Sequence, residues 1–128
     1  MSADAAPTPP IGLLLSDDLI FTSRVTGTAR ALGLVVQSAR SSQALEEAAR
    51  RQTPRCVLID LGNPGLAIAD LIRHLQEGCV PMPTVVAYGS HVDTATLRRA
   101  RKAGCDVVWP RSKFVAELPQ ALPAWFGA

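Results

Sequence analysis

Asp17, Asp18 and Asp60, the cation Arg111 and the hydroxyl of Ser90 are the side chains whose types and placement could do chemistry together. Asp60 closes the apolar run Cys56-Val57-Leu58-Ile59, and Gly62-Asn63-Pro64 turn the chain directly after it. A run of that kind reads as a strand buried on both faces. Its carboxyl end is where ligands meet an open α/β sheet. Carboxylates at the ends of neighbouring strands repel each other unless a cation lies between them. Asp17 and Asp60, with Asp18 as a further donor, could share a hard divalent ion such as Mg2+, which takes a few oxygens and is often completed by phosphate. One Asp60 oxygen would then be free to attack phosphorus. Arg111 would stabilise the phosphoryl oxygens, and Ser90 would hydrogen-bond the modified aspartate.

For these groups to meet, the elements must alternate. Ile11 to Leu15 form a first strand, and Ser16-Asp17-Asp18 open a helix whose apolar positions run from Ile20 to Leu32 before Gly33 stops it. Residues 34–36 form a second strand, and Ser41 or Ser42 caps a helix that ends before Pro54. After the strand 56–60, residues 66–75 form a helix closed by Gly78. Residues 84–88 form the fourth strand, and Asp93 caps a helix with Leu97, Ala100 and Ala103 inward. That helix has Arg98, Arg99, Arg101 and Lys102 outward, and Gly104 stops it. Residues 106–109 form the fifth strand. Pro119 should break or shorten the last helix. Five alternations of strand and helix imply a parallel sheet with helices on both faces.

The totals exclude several classes. The net charge of +2 is too mild to argue for nucleic acid, and the basic helix face lacks the interleaved aromatics of a nucleic-acid binder. Cys56, Cys79 and Cys105 form no C-x-x-C pair, which argues against zinc and for reduced thiols in the cytoplasm. No apolar run spans a bilayer, and the first ten residues do not read as a signal peptide. His74 reads as a solvated helix residue. His91 lacks a nucleophile at fixed spacing. No G-x-G-x-x-G, P-loop or nucleophile elbow argues for an enzyme.

From Ile11 to about Leu122 the layout resembles the receiver domain of two-component response regulators, the chemotaxis-regulator fold. Asp60 with Leu61-Gly62-Asn63-Pro64 resembles the phosphoacceptor and its turn, Asp17 the second acid after strand one, and Ala103-Gly104-Cys105-Asp106 the entry to strand five. Four positions depart. Ser16 stands where the first acid belongs, and Gly89, with Ser90 next, where the Ser or Thr after strand four belongs. Arg111-Ser112 replaces Lys-Pro, and Val108, beside Trp109, replaces the switch aromatic. Arg keeps the charge but presents a larger planar fork.

The resemblance implies a flavodoxin-like three-layer α/β/α sandwich with strand order 2-1-3-4-5 over residues 11–128, after a flexible tail at 1–10. It implies a stand-alone signalling domain of two-component or phosphorelay type, a monomer or homodimer and not an enzyme. Asp60 is then the phosphoacceptor, and Mg2+ is held by Asp17, Asp60 and the Gly62 carbonyl, with Asp18 near. Its partner is a sensor kinase or other signalling protein, with no direct contact to nucleic acid or membrane. The alternative implied by the departures is a pseudo-receiver, an interaction module that works without phosphorylation.

Overall fold

The computed structural model describes residues 9–127. Its elements run β1 (Ile11–Leu15), α1 (Leu19–Ala31), β2 (Val35–Ala39), α2 (Ser42–Arg51), β3 (Cys56–Asp60), α3 (Ile68–Gly78), β4 (Thr84–Gly89), α4 (Thr94–Ala103), β5 (Val107–Pro110) and α5 (Arg111–Trp125). All four strand pairings are parallel, in the order β2-β1-β3-β4-β5. This is the architecture and strand order expected from the sequence. Of the expected tail, residues 1–8 lie outside the described residues, and Pro9 and Pro10 are exposed.

Side chains alternate across a strand with period two, and both faces of this sheet are covered. Leu13, Leu15, Val57, Ile59, Val85 and Ala87 pack with Leu45, Ala49, Leu71, Ile72, Leu75, Leu97 and Ala100 of α2, α3 and α4. Leu14, Cys56, Leu58, Val86 and Tyr88 pack with Val25 and Ala29 of α1 and with Phe114, Leu118 and Leu122 of α5. Fully burying one such Leu, Ile or Phe stabilises the fold by about 1.5–3 kcal/mol. Gly12 is required by close approach: a Cβ there would lie 3.0 Å from both the Cys56 sulfur and the Phe126 ring. The three cysteines are free, and burial pushes Cys56 up to about 12 and Cys105, helped by Asp106, up to about 11. Among the described residues no helix is long and apolar enough to cross a membrane.

The helix ends follow local chemistry. Asp18, Ser41 and Asp93 accept the amides of Phe21, Ala44 and Thr96 as N-caps. Gly33 (φ 75°) and Gly104 (φ 110°) take the left-handed conformation that ends α1 and α4.

Four expectations need correction. β2 extends through Gln37, Ser38 and Ala39, because an edge strand can continue its ladder with polar side chains exposed. α3 begins at Ile68, not at residue 66, with no side-chain cap. His74 is not simply solvated: its Nδ1 lies 2.9 Å from Glu46 Oε2, tying α3 to α2. α5 is one helix of 15 residues with Pro119 and Pro123 inside it. Its buried stripe of Phe114, Leu118 and Leu122 holds it together, while Pro119 lies on the exposed side, where the Val115 carbonyl that loses its donor is least costly.

Two substitutions in α5 should therefore act in opposite directions. Leu118→Ala should cost about 2–5 kcal/mol in guanidinium unfolding. Pro119→Ala, restoring a donor on the exposed face, should stabilise by about 1–3 kcal/mol in the same measurement.

Candidate functional site

The strand registers bring four residues into one row across the carboxyl edge of the sheet. Leu15 pairs with Ile59, Asp60 with Tyr88 and Tyr88 with Trp109, so Ser16, one step past β1, falls beside Asp60. By the period-two rule these side chains share the face covered by α1 and α5. Phe21 from α1 and Phe114 from α5 close over Tyr88, with ring centroids 4.9 and 4.4 Å away.

Asp60 is 3% exposed, so its carboxylate must be satisfied from within. Oδ2 accepts the Ser16 hydroxyl at 2.9 Å, and Oδ1 accepts the Gly62 amide at 2.9 Å. The Arg111 guanidinium stands 3.7 Å from Oδ1. Arg111 is itself held: its Cζ lies 5.4 Å from the centre of the Phe21 ring and 5.9 Å from that of Tyr88. Such cation–π contacts are worth about 0.5–1 kcal/mol each at an exposed site. The Ser16 hydroxyl gives its proton to Asp60, and its oxygen also accepts the Asp18 amide at 3.1 Å.

The groups expected at the site are thus partly gathered. Arg111 reaches Asp60. Gly62 meets it through its amide nitrogen. Asp18 spends Oδ1 on the Phe21 amide, 3.0 Å away, as the cap of α1, and Asp17 is exposed beside it. Ser90 accepts the Val92 amide at 3.3 Å within its own loop. With Gly62, Asp93, Thr96 and Arg111 it lines a cavity of about 130 Å3 beside the acid. The residue beside Asp60 on β4 is Tyr88, one place before Gly89. Tyr88 and the donor role of Ser16 are what sequence reasoning missed, and the signal for both was strand register rather than residue type.

The donor set can be tested against Mg2+. Among the described residues no three His, Cys, Asp or Glu side chains come together to hold a metal ion. Mg2+ needs converging oxygen acceptors. Asp60 instead faces two hydrogen-bond donors, a hydroxyl and an amide, and a guanidinium cation. These residues do not fit a divalent ion on Asp60.

Among the described residues the buried Tyr88 hydroxyl has no hydrogen-bond partner. Burial first, and the Asp60 carboxylate second, push its ionisation well above the ordinary phenol range, with partial relief from Ser16 and Arg111. Ser16 favours the phenolate by proximity, with its proton on Asp60 and one lone pair on the Asp18 amide, and it makes no hydrogen bond to Tyr88.

No family model matches the sequence, and no curated protein matches it. Solved structures do match. A response regulator from Thermotoga maritima shares 19% identity at a TM-score of 0.77, over 94% of this chain and 100% of that one. The receiver domain of NtrX from Brucella abortus shares 18% at 0.75, over 92% and 98%. A CheY-like response regulator receiver domain protein from Methanospirillum hungatei shares 12% at 0.78, over 94% and 95%. The chain therefore has the flavodoxin-like fold of response regulator receiver domains.

Because its hydroxyl is unpaired, Tyr88→Phe should retain stability or gain about 1 kcal/mol in urea unfolding. The sign with pH also follows. The unfolded phenol ionises near pH ~10, and the folded one ionises higher. The wild type therefore loses stability as pH rises above that point, and Tyr88→Phe should lose less, as read by unfolding at a series of alkaline pH values.

Proposed function

We propose that this chain is a receiver-type signalling domain of two-component or phosphorelay kind, which works by docking to a sensor kinase or another signalling protein. Asp60 is the phosphoacceptor in this reading. The observation that carries it is the acid at the carboxyl end of the central strand with a guanidinium 3.7 Å away, on a sheet of receiver topology. Asp60 Oδ1 attacks phosphorus, the bond from phosphorus to the donor breaks, and the leaving group takes the electron pair. Arg111 stands where it would stabilise the phosphoryl oxygens. Ser90 and Asp17 belong to the rim around that acid rather than to its hydrogen-bonding shell. The domain is a switch, not an enzyme, and its unpaired thiols suit a reducing cytoplasm.

One observation favours a second reading, an interaction module that does not use phosphorylation. Asp60 is 3% exposed with both oxygens already bonded. Its role would then be to hold the loops at the sheet edge in one arrangement.

Exposure to acetyl phosphate followed by intact-mass measurement separates the two. The first reading expects a gain of one phosphoryl group, lost in Asp60→Asn. No gain in the wild type, with partner binding intact in Asp60→Asn, would leave the second.

A further inference from the structure

Two hydrogen-bond donors and a guanidinium converge on Asp60, and their arrangement says what the site will accept. The β1 side of the acid is a neutral hydroxyl, where a second carboxylate would have created the demand for a cation. That hydroxyl spends its one proton on Asp60 and one lone pair on the Asp18 amide, so turning it to offer a lone pair inward would break its bond to Asp60. The one positive charge in the shell is Arg111, which balances the one negative charge of Asp60. The rings of Phe21 and Tyr88 lie within cation–π reach of that half-exposed guanidinium and bias its position. Asp18 is occupied as a helix cap and Asp17 is exposed. A divalent ion approaching Asp60 would have to displace a committed hydroxyl, an amide or a guanidinium, and would gain no second buried carboxylate.

We infer that Arg111 is the resident cation of Asp60 and that Arg111 and Ser16 together keep divalent metal ions from it, so that removing either one opens the site. The inference takes from the proposed function only that Asp60 is the working acid. Whatever occupies the site must accept from donors, and a metal ion does not.

The test is titration of the full chain with Mn2+, following the free ion by electron paramagnetic resonance, with Mg2+ as competitor. Wild type and Asp60→Asn should give the same curve. Ser16→Asp, which adds a carboxylate on the β1 side, should gain one site about tenfold or more tighter than anything in the wild type. Ser16→Asp/Asp60→Asn should lose that site. A single Mn2+ site in the wild type that Mg2+ competes for and Asp60→Asn abolishes would overturn the inference.

Arg111→Gln covers the case in which Ser16→Asp does not fold. Deprived of its cation, it should show a Mg2+-dependent rise in melting temperature that the wild type lacks. A variant as indifferent to Mg2+ as the wild type would overturn the role given to Arg111. The outcomes are separable from those of acetyl phosphate labelling: an Asp60-dependent metal site sinks this inference and leaves the receiver reading standing. Failure to label, with metal binding silent, does the reverse.

Discussion

A carboxylate at the end of the central strand, nearly sealed from water, is the constraint on which this structure turns. Burying an ionised group without partners is prohibitively costly, and pairing it with donors makes it tolerable. Asp60 meets that demand from three directions in sequence. Ser16 comes from the end of β1, Gly62 from the turn that follows Asp60, and Arg111 from the first residue of α5. Each of those segments is fixed in turn by something else. The Ser16 amide bonds the Ala39 carbonyl of β2, and Asn63 ties the β3–α3 turn to the Arg40 carbonyl through its side-chain amide, 3.2 Å away. Arg111 lies against rings from α1 and β4. The acid therefore draws the loops at the carboxyl edge into one network.

That network explains which parts of the molecule were legible in its sequence. β3 and its acid were plain, because an unbroken apolar run ending in a carboxylate and then Gly-Asn-Pro has few other readings. The caps at Asp18, Ser41 and Asp93 and the stops at Gly33 and Gly104 were legible for the same reason: each is a local rule with a single residue as its mark. What escaped was decided by register and by contacts between elements. Counting acids after β1 draws attention to Asp17, while the pairing of Leu15 with Ile59 puts Ser16 beside Asp60. Counting polar residues after β4 draws attention to Ser90, while the pairing of Asp60 with Tyr88 puts an aromatic ring there. The contact between Glu46 and His74 joins two helices whose facing sides no single segment reveals. Pro119 shows the opposite failure, a strong local rule outweighed by the buried stripe of α5.

The aromatic cluster is the other half of the site. Tyr88, Phe21, Phe114 and Trp125 form a connected set, with Tyr88 and Phe114 stacked at 4.4 Å and Phe114 and Trp125 stacked at 6.1 Å. Trp109 joins it through Trp125 at 5.5 Å. A hydroxyl-bearing ring in the middle of such a cluster is expected to find a partner. Among the described residues the Tyr88 hydroxyl has none, while the Ser16 hydroxyl gives its proton to Asp60. The satisfied acid and the unsatisfied phenol are thus one arrangement seen from two sides.

The same arrangement sets the terms on which Asp60 can react. Hydrogen bonds to a charged group are worth about 1.5–3 kcal/mol each, and Asp60 has two of them besides its ion pair. Chemistry at Oδ2 requires Ser16 to give up its bond to Asp60, while its oxygen can still accept the Asp18 amide. Chemistry at Oδ1 keeps Ser16 in place and works on the side facing Arg111. Oδ1 is engaged as well, by the Gly62 amide and by Arg111, so reaction there breaks the amide bond or shifts the half-exposed guanidinium. Motion of that guanidinium would be felt by Phe21 on α1 and by the first turn of α5. A change confined to one carboxylate oxygen would in this way reach two helices on the same face of the sheet.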